Sequence, residues 1–204
     1  MMGFYENHVL PHVVKLCCGT GAVRAQRANI VPGARGKVLE VGMGPGLNMP
    51  YYDLALVDII YGLEPNAKSR SMAAGPIENA GLTVDFIGLD GQEIPLDRHS
   101  VDTIVLTYTL CTIPDADKAM REMRRVLKPG GRLLFSEHGA APDAAVKKWQ
   151  DRINSVWNRI GGGCNLNRDI PHLIKQGGFT LDTLDEMYLP GPKVATYNYR
   201  GAAS

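Results

Sequence analysis

The chain has 204 residues, enough for one domain with a full core. Its hydrophobic content of 45% and charged content of 21% are ordinary for a globular protein, and a net charge of +1 gives no basic field for nucleic acid. No apolar run reaches the roughly 18 residues of a transmembrane span, and the start Met1 to Glu6 lacks the basic and apolar regions of a secretion signal.

In chain order, residues 4–30 read as one or two amphipathic helices, broken near Pro11 and at Gly19-Thr20-Gly21. Such a segment can cover a sheet edge, close as a lid over a substrate, or make weak peripheral contact with a membrane. Residues 1–34 are therefore expected to form a helical lid or cap on a core of residues 35–204, in one domain. Val38-Leu39-x-Val41 reads as a buried parallel strand that runs into Gly42, Gly44 and Gly46. A helix is expected over about 47–56, a strand at Ile59–Leu63 ending in Glu64, and a helix at about 66–80 closed by Gly81. Leu82–Ile87 is the third strand, Asp90 to Leu96 a loop and Val101–Thr107 the fourth strand. Residues 115–127 form an amphipathic helix stopped by Lys128-Pro129-Gly130-Gly131, and Arg132–Glu137 is the fifth strand. A helix over 143–160 places Trp149, Ile153, Val156, Trp157 and Ile160 at helical spacing, so core packing is expected for the tryptophans rather than an aromatic cage. After Gly161-Gly162-Gly163 come a short helix at 169–176 and strands at about 179–188 and 193–200, joined at Pro190-Gly191-Pro192 by a hairpin turn. Alternating strands and helices of these lengths predict right-handed βαβ units and a mostly parallel sheet.

The ligand site is expected at the carboxyl ends of the strands. The turn at Gly42–Gly46 permits positive φ and lets a ligand approach bare backbone. It is not the dinucleotide fingerprint G-x-G-x-x-G, whose third glycine would fall on Leu47 or Met49, nor a Walker loop, which needs Gly-Lys-Ser/Thr. Cys18-Gly19-Thr20-Gly21 is a similar turn without a preceding acid. Glu64, about 20 residues beyond the first strand, suits the hydroxyls of a ribose.

The pattern Glu40-x-Gly42-x-Gly44-x-Gly46 resembles motif I of the class I S-adenosylmethionine (SAM) methyltransferases. Asp90-Gly91-Gln92-Glu93-Ile94-Pro95-Leu96 is similar to that family's D-A-E-x-L-P-F loop, and Leu127 to Gly131 to its L-K-P-G-G turn. The resemblance covers roughly residues 37–137. It implies an α/β, Rossmann-like fold with a seven-stranded, mostly parallel sheet and an antiparallel terminal hairpin. It also implies SAM as cofactor, with S-adenosylhomocysteine as product. The implied cofactor-binding residues are Glu40, Gly42, Gly44, Gly46, Asn48, Glu64, Pro65, Asp90, Gly91, Gln92, Thr107 and Tyr108. Pro45 removes one backbone donor from the turn, so fewer contacts to the methionine carboxylate are expected there.

A narrower resemblance is carried by Thr109-Leu110-Cys111-Thr112-Ile113, Glu137-His138-Gly139, the tryptophan-bearing helix and Gly163-Cys164-Asn165-Leu166-Asn167-Arg168. These look like the methyltransferase-like thiol S-methyltransferases of animals and their bacterial, UbiE-like relatives. The animal members carry a hydrophobic N-terminal anchor, and that anchoring is not expected to carry over. The resemblance implies a small-molecule acceptor, with a thiol or sulfide sulfur in the lead and an amine such as phospholipid ethanolamine behind it. A SAM-binding protein without catalysis is a third reading.

Methyl transfer from a sulfonium needs alignment and exclusion of water more than a protein nucleophile. A thiol acceptor benefits from a base, for which His138 is the first candidate, with Tyr5, His8 and His12 on the lid behind it. The cysteines Cys17, Cys18, Cys111 and Cys164 form no C-x-x-C pair, which points to a reduced, cytoplasmic setting. The spacing of Cys111 and Cys164 fits no zinc pattern, so no metal is expected.

Overall fold

The computed structural model describes residues 8–88 and 91–204. Seven strands form one sheet in the order β3-β2-β1-β4-β5-β7-β6. They are β1 (Gly36–Val41), β2 (Val57–Leu63), β3 (Val84–Gly88), β4 (Val101–Thr107), β5 (Leu127–His138), β6 (Leu181–Tyr188) and β7 (Tyr197–Ala203). The first five pair in parallel, and β7 runs antiparallel to both β5 and β6. The expected mostly parallel sheet with an antiparallel terminal pair is what forms.

Among the described residues seven α-helices accompany the strands: α1 (Leu10–Cys17), α2 (Gly21–Ile30), α3 (Ala67–Ala80), α4 (Ala116–Val126), α5 (Ala144–Ile160), α6 (Ile170–Gln176) and α7 (Lys193–Thr196). Local chemistry sets their ends. Asn66, Asp115 and Asp169 each accept a hydrogen bond from a backbone N–H of the first turn of α3, α4 and α6. Gly81, at φ 66°, closes α3.

Side-chain alternation divides the core between the two faces of the sheet. Leu39, Val41, Ile104, Leu106, Leu133 and Phe135 join Met120, Met123 and Val126 of α4 and Ile170 and Ile174 of α6. Val38, Ile60, Val105 and Leu134 join Ile30, Val31, Met49 and Tyr52 on the other. Glu40 and Thr107 share the second face by the same alternation, so two polar side chains project toward α2 at the strand ends.

Several sequence expectations are corrected. No α-helix forms over 47–56; a turn leads to a single 3₁₀ turn at Met49–Tyr51. Pro50 lacks the N–H that a helix would direct to Gly46, and Asp53 folds back to accept from the N–H of Ala55 at 2.9 Å. The fifth strand begins at Leu127 rather than Arg132, the residues of the Pro129-Gly130-Gly131 stretch being absorbed where the register shifts against β4. The terminal strands are joined through α7, not by a tight hairpin turn. Pro11 does not break α1 but sits in its first turn, where its missing N–H costs nothing.

The α5 face is not core. Trp149 is 55% exposed with Arg152 over its ring, and Val156 and Ile160 are exposed as well. The two N-terminal helices also differ. Gln26, Arg27 and Ile30 bury α2, and Arg200 of β7 donates to Gln26 Oε1 at 3.1 Å. Only Pro11 of α1 is buried, and Leu16 is 77% exposed. Leu10 nonetheless reaches the loop after α5: a Cβ on Gly162 would lie 2.2 Å from its side chain. Among the described residues no helix is long and apolar enough to cross a membrane.

Candidate active site

The ends of β1 and β2 meet at the glycine turn. Gly42, Gly44 and Gly46 all adopt positive φ. A Cβ on Gly42 would strike Thr109 at 2.2 Å, and one on Gly46 would crowd Ala73 and Pro76 of α3, so these two glycines admit neighbouring elements. Gly44 differs: among the described residues the nearest neighbour of such a Cβ would be the Gly42 carbonyl at 4.0 Å, which leaves room there for a ligand. The N–H of Gly44 donates to Glu64 Oε2 at 2.8 Å, and the N–H of Asn66 donates to Oε1 at 2.8 Å. Burial raises the Glu64 pKa, opposed by these two hydrogen bonds and by Arg70. Each carboxylate oxygen keeps acceptor capacity for a hydroxyl. Pro65 is exposed beside it.

Behind the turn lies a polar network that ties three residues named from the sequence, Glu40, Asn48 and Thr107, to Arg27 and Tyr52. Arg27 of α2 is 3% exposed. Its Nη1 donates to Asn48 Oδ1 at 2.8 Å and to Thr107 Oγ1 at 2.6 Å, and its guanidinium lies 5.1 Å from the Tyr108 ring centroid. Its buried Nε has no hydrogen-bond partner among the described residues. Glu40 does not line the open space but lies under it, fully buried, accepting from Asn48 Nδ2 at 2.9 Å and Tyr52 OH at 2.8 Å. Burial pushes Glu40 up to about 7, against the hydrogen bonds from Tyr52 and Asn48 and the nearby charge of Arg27. Asn48 and Thr107 are held by one another and by Arg27.

Tyr108 has φ 55°, a left-handed conformation unusual for a residue with a bulky side chain, right after β4. Burial raises its pKa to about 12. Gly91 is buried against Val41, and Gln92 Oε1 accepts from the N–H of Asp115 at 3.1 Å. Asp90 and Tyr5 lie outside the described residues. His8 and His12 are exposed.

On the far side, Glu137 is fully buried and its Oε1 accepts from the N–H groups of Thr109 and Leu110, at 2.7 and 3.1 Å, fixing the turn after β4. Burial raises its pKa to about 7 despite those bonds. His138 is not free: its Nε2 lies 3.2 Å from Cys164 Sγ. Burial opposes its charge, but Cys164 and Glu137 outweigh burial and raise its pKa. The hydrogen bond from Cys111 chiefly lowers the Cys164 pKa, with His138 and Trp157 adding, while Cys111 is raised. The spacing argument against a metal considered the two cysteines alone; folding adds His138 to them.

Arg27 and the Cys111–His138–Cys164 group are what the sequence reading missed. A single arginine in an amphipathic helix reads as a solvated charge. The usable signal was Gln26-Arg27 standing on the same helix side as Ile30.

The unpartnered Arg27 Nε, the open space over Gly44 and the two-oxygen face of Glu64 fit the carboxylate, methionine chain and ribose of SAM. With that geometry in hand, the comparisons with known proteins agree. The family model described as a methyltransferase domain matches residues 39–135. A human thiol S-methyltransferase, TMT1B, is 36% identical over 67% of this chain and 58% of its own length. A phosphatidylethanolamine N-methyltransferase of Cereibacter sphaeroides is 31% identical over 65% of this chain and 67% of its own. The chain spans about three fifths of the length of the TMT1B relatives it matches. Among solved structures, an S-adenosylmethionine-dependent methyltransferase from Mesorhizobium loti superposes with a TM-score of 0.64 at 18% identity, covering 91% of this chain and 98% of that one.

The buried Glu40 gives a test that needs no ligand. Its folded pKa, about 7, exceeds the ordinary 4.5, so the native state holds the extra proton between those values and stability falls as pH rises through that window. Replacing Glu40 with Gln is expected to remove that fall, worth up to about 3 kcal/mol. Urea unfolding from pH 4.5 to 8 should show the variant gaining on the wild type as pH rises; parallel profiles would contradict the assignment.

Proposed function

The chain belongs to the class I SAM-dependent methyltransferases, and from that membership we propose that it moves a methyl group from SAM to the sulfur of a small thiol or sulfide. The observation that carries the choice of sulfur is the 36% identity to a protein named as a thiol S-methyltransferase. A reducing compartment, the cytoplasm, suits a site whose cysteines are free.

Bound over Gly44, SAM supplies a sulfonium-activated methyl group and leaves as S-adenosylhomocysteine. The residues bind and orient. Glu64 accepts from the ribose hydroxyls. Arg27 takes the methionine carboxylate, a role that offsets the donor Pro45 cannot give. Glu40 acts at one remove, setting the orientation of Asn48. Tyr108, held in its left-handed conformation, separates the donor side from the acceptor side. Helix α1, whose Leu10 rests on Gly162, closes the acceptor side against water. A thiol acceptor must lose its proton to react, since the thiolate is the nucleophile.

An amine is the second reading. It is supported by the Cereibacter sphaeroides relative and by exposed Val9, just before α1, and Val13 and Leu16 on it, which suit a lipid surface. A non-catalytic SAM-binding role is the third.

A panel of thiols, amines and phenols with SAM, read by S-adenosylhomocysteine formation, separates the three. Thiol turnover is the expected result; turnover of amines alone supports the second reading, and SAM binding with no turnover the third. Replacing Glu64 with Ala is expected to weaken SAM binding by about 10- to 100-fold, equivalent to about 1.4–2.7 kcal/mol, with the fold intact. Unchanged affinity by calorimetry would contradict the ribose assignment.

A further inference from the structure

Three side chains from separate elements converge beside the acceptor end of the sheet. Cys111 lies in the turn after β4, His138 closes β5, and Cys164 lies in the loop after α5. Their donor atoms all lie within 4.8 Å of one another. We propose that Cys111, His138 and Cys164 form a three-ligand site for a divalent, zinc-like cation whose fourth position takes the acceptor sulfur.

A tetrahedral zinc with sulfur at about 2.3 Å and nitrogen at about 2.0 Å sets its donors about 3.5–3.8 Å apart. The three donors therefore close on an ion by shifts of about 1 Å or less, and Cys164 Sγ and His138 Nε2 are already at 3.2 Å. Two sulfurs and one imidazole form a soft set that selects zinc over calcium or magnesium. Two thiolates and a divalent cation sum to zero charge, which suits a partly buried place.

The backbone that carries these ligands is fixed from outside. Asn165 donates its backbone N–H and its side-chain Nδ2 to the Cys111 carbonyl, both at 2.9 Å, tying the third ligand's loop to the first ligand's turn. Asn158 holds the Gly163 carbonyl at 2.7 Å, and Arg168 donates to the Leu110 carbonyl. Glu137 anchors the turn from below through Thr109 and Leu110. Trp157 Nε1 donates to Cys164 Sγ at 3.3 Å, the outer hydrogen bond that orients a thiolate ligand. Three protein ligands leave a fourth tetrahedral position for a non-protein ligand, the arrangement of catalytic rather than structural zinc.

The open position answers the acceptor's proton. A thiol that replaces water there loses its S–H proton to solvent, because coordination deprotonates a thiol. The resulting thiolate forms the new S–CH₃ bond while the donor's C–S bond breaks and its electron pair stays on S-adenosylhomocysteine. The cation keeps its oxidation state. This role rests on the thiol reading above; the cation site itself does not.

Cobalt(II) is the probe. Titrating the reduced, metal-free full chain under nitrogen is expected to saturate at one equivalent. It should give the intense visible bands and sulfur-to-metal charge transfer of a tetrahedral thiolate site. His138→Ala and Cys164→Ala are expected to weaken cobalt binding at least tenfold, with circular dichroism confirming the fold, while Cys17→Ala leaves the spectrum unchanged. A reduced wild-type chain without these bands, or the same bands in Cys111→Ala/Cys164→Ala, overturns the site. Added 2-mercaptoethanol is expected to shift the wild-type bands; an unmoved spectrum overturns the fourth-position role and leaves the cation site standing. A cobalt site in a chain that methylates only amines leaves the cation site and overturns the sulfur reading.

Discussion

The donor half of the site depends on a cation taken out of water. Arg27 is buried in α2, and among the described residues no salt bridge engages it. Burying a charge without a partner is costly. The protein offsets part of that cost with Asn48, Thr107 and the face of Tyr108, and in doing so ties together the N-terminal helix, the glycine turn and the end of β4. The Nε, without a hydrogen-bond partner among the described residues, is the atom this account assigns to an anion. Glu40 lies one layer below, too engaged with Asn48 and Tyr52 to meet a ligand itself. On this account α2 is part of the SAM site and not only a cover.

The other half of the site is built on a buried carboxyl group, which burial pushes toward its neutral form. Glu137 holds the turn after β4, and that turn presents Cys111 to the loop carrying Cys164. The two groups meet at Tyr108, whose left-handed backbone stands between Thr107, held by Arg27, and the turn that carries Cys111. Because β4 lies between β1 and β5 in the sheet, one strand end serves both.

What could be read beforehand was whatever is local in sequence. The run of β1 into Gly42, Gly44 and Gly46, and the fall of Glu64 at the end of β2, follow from strand length and glycine spacing, and both stand where expected. The parallel order follows from alternating elements. Errors arose where a local pattern met a local veto, as with Pro50 in the expected helix after the turn, or where amphipathic spacing did not say which elements would cover it. Trp149 has helical spacing but stays half exposed, with Arg152 over its ring. Arg27 with Asn48 and Thr107, and Cys111 with His138 and Cys164, are spaced by tens of residues and share no motif. Only the sheet order brings them together.

The most direct test of the central claim pairs the two partners that Arg27 is said to join. SAM and decarboxylated SAM, which lacks the methionine carboxylate, are titrated by calorimetry into the wild type and into Arg27→Met. The account predicts that removing the carboxylate weakens binding to the wild type by about 10-fold or more but has little effect on the variant, a coupling of at least about 1.4 kcal/mol. Equal losses in both proteins would show that Arg27 does not read the carboxylate and would contradict this picture of the site.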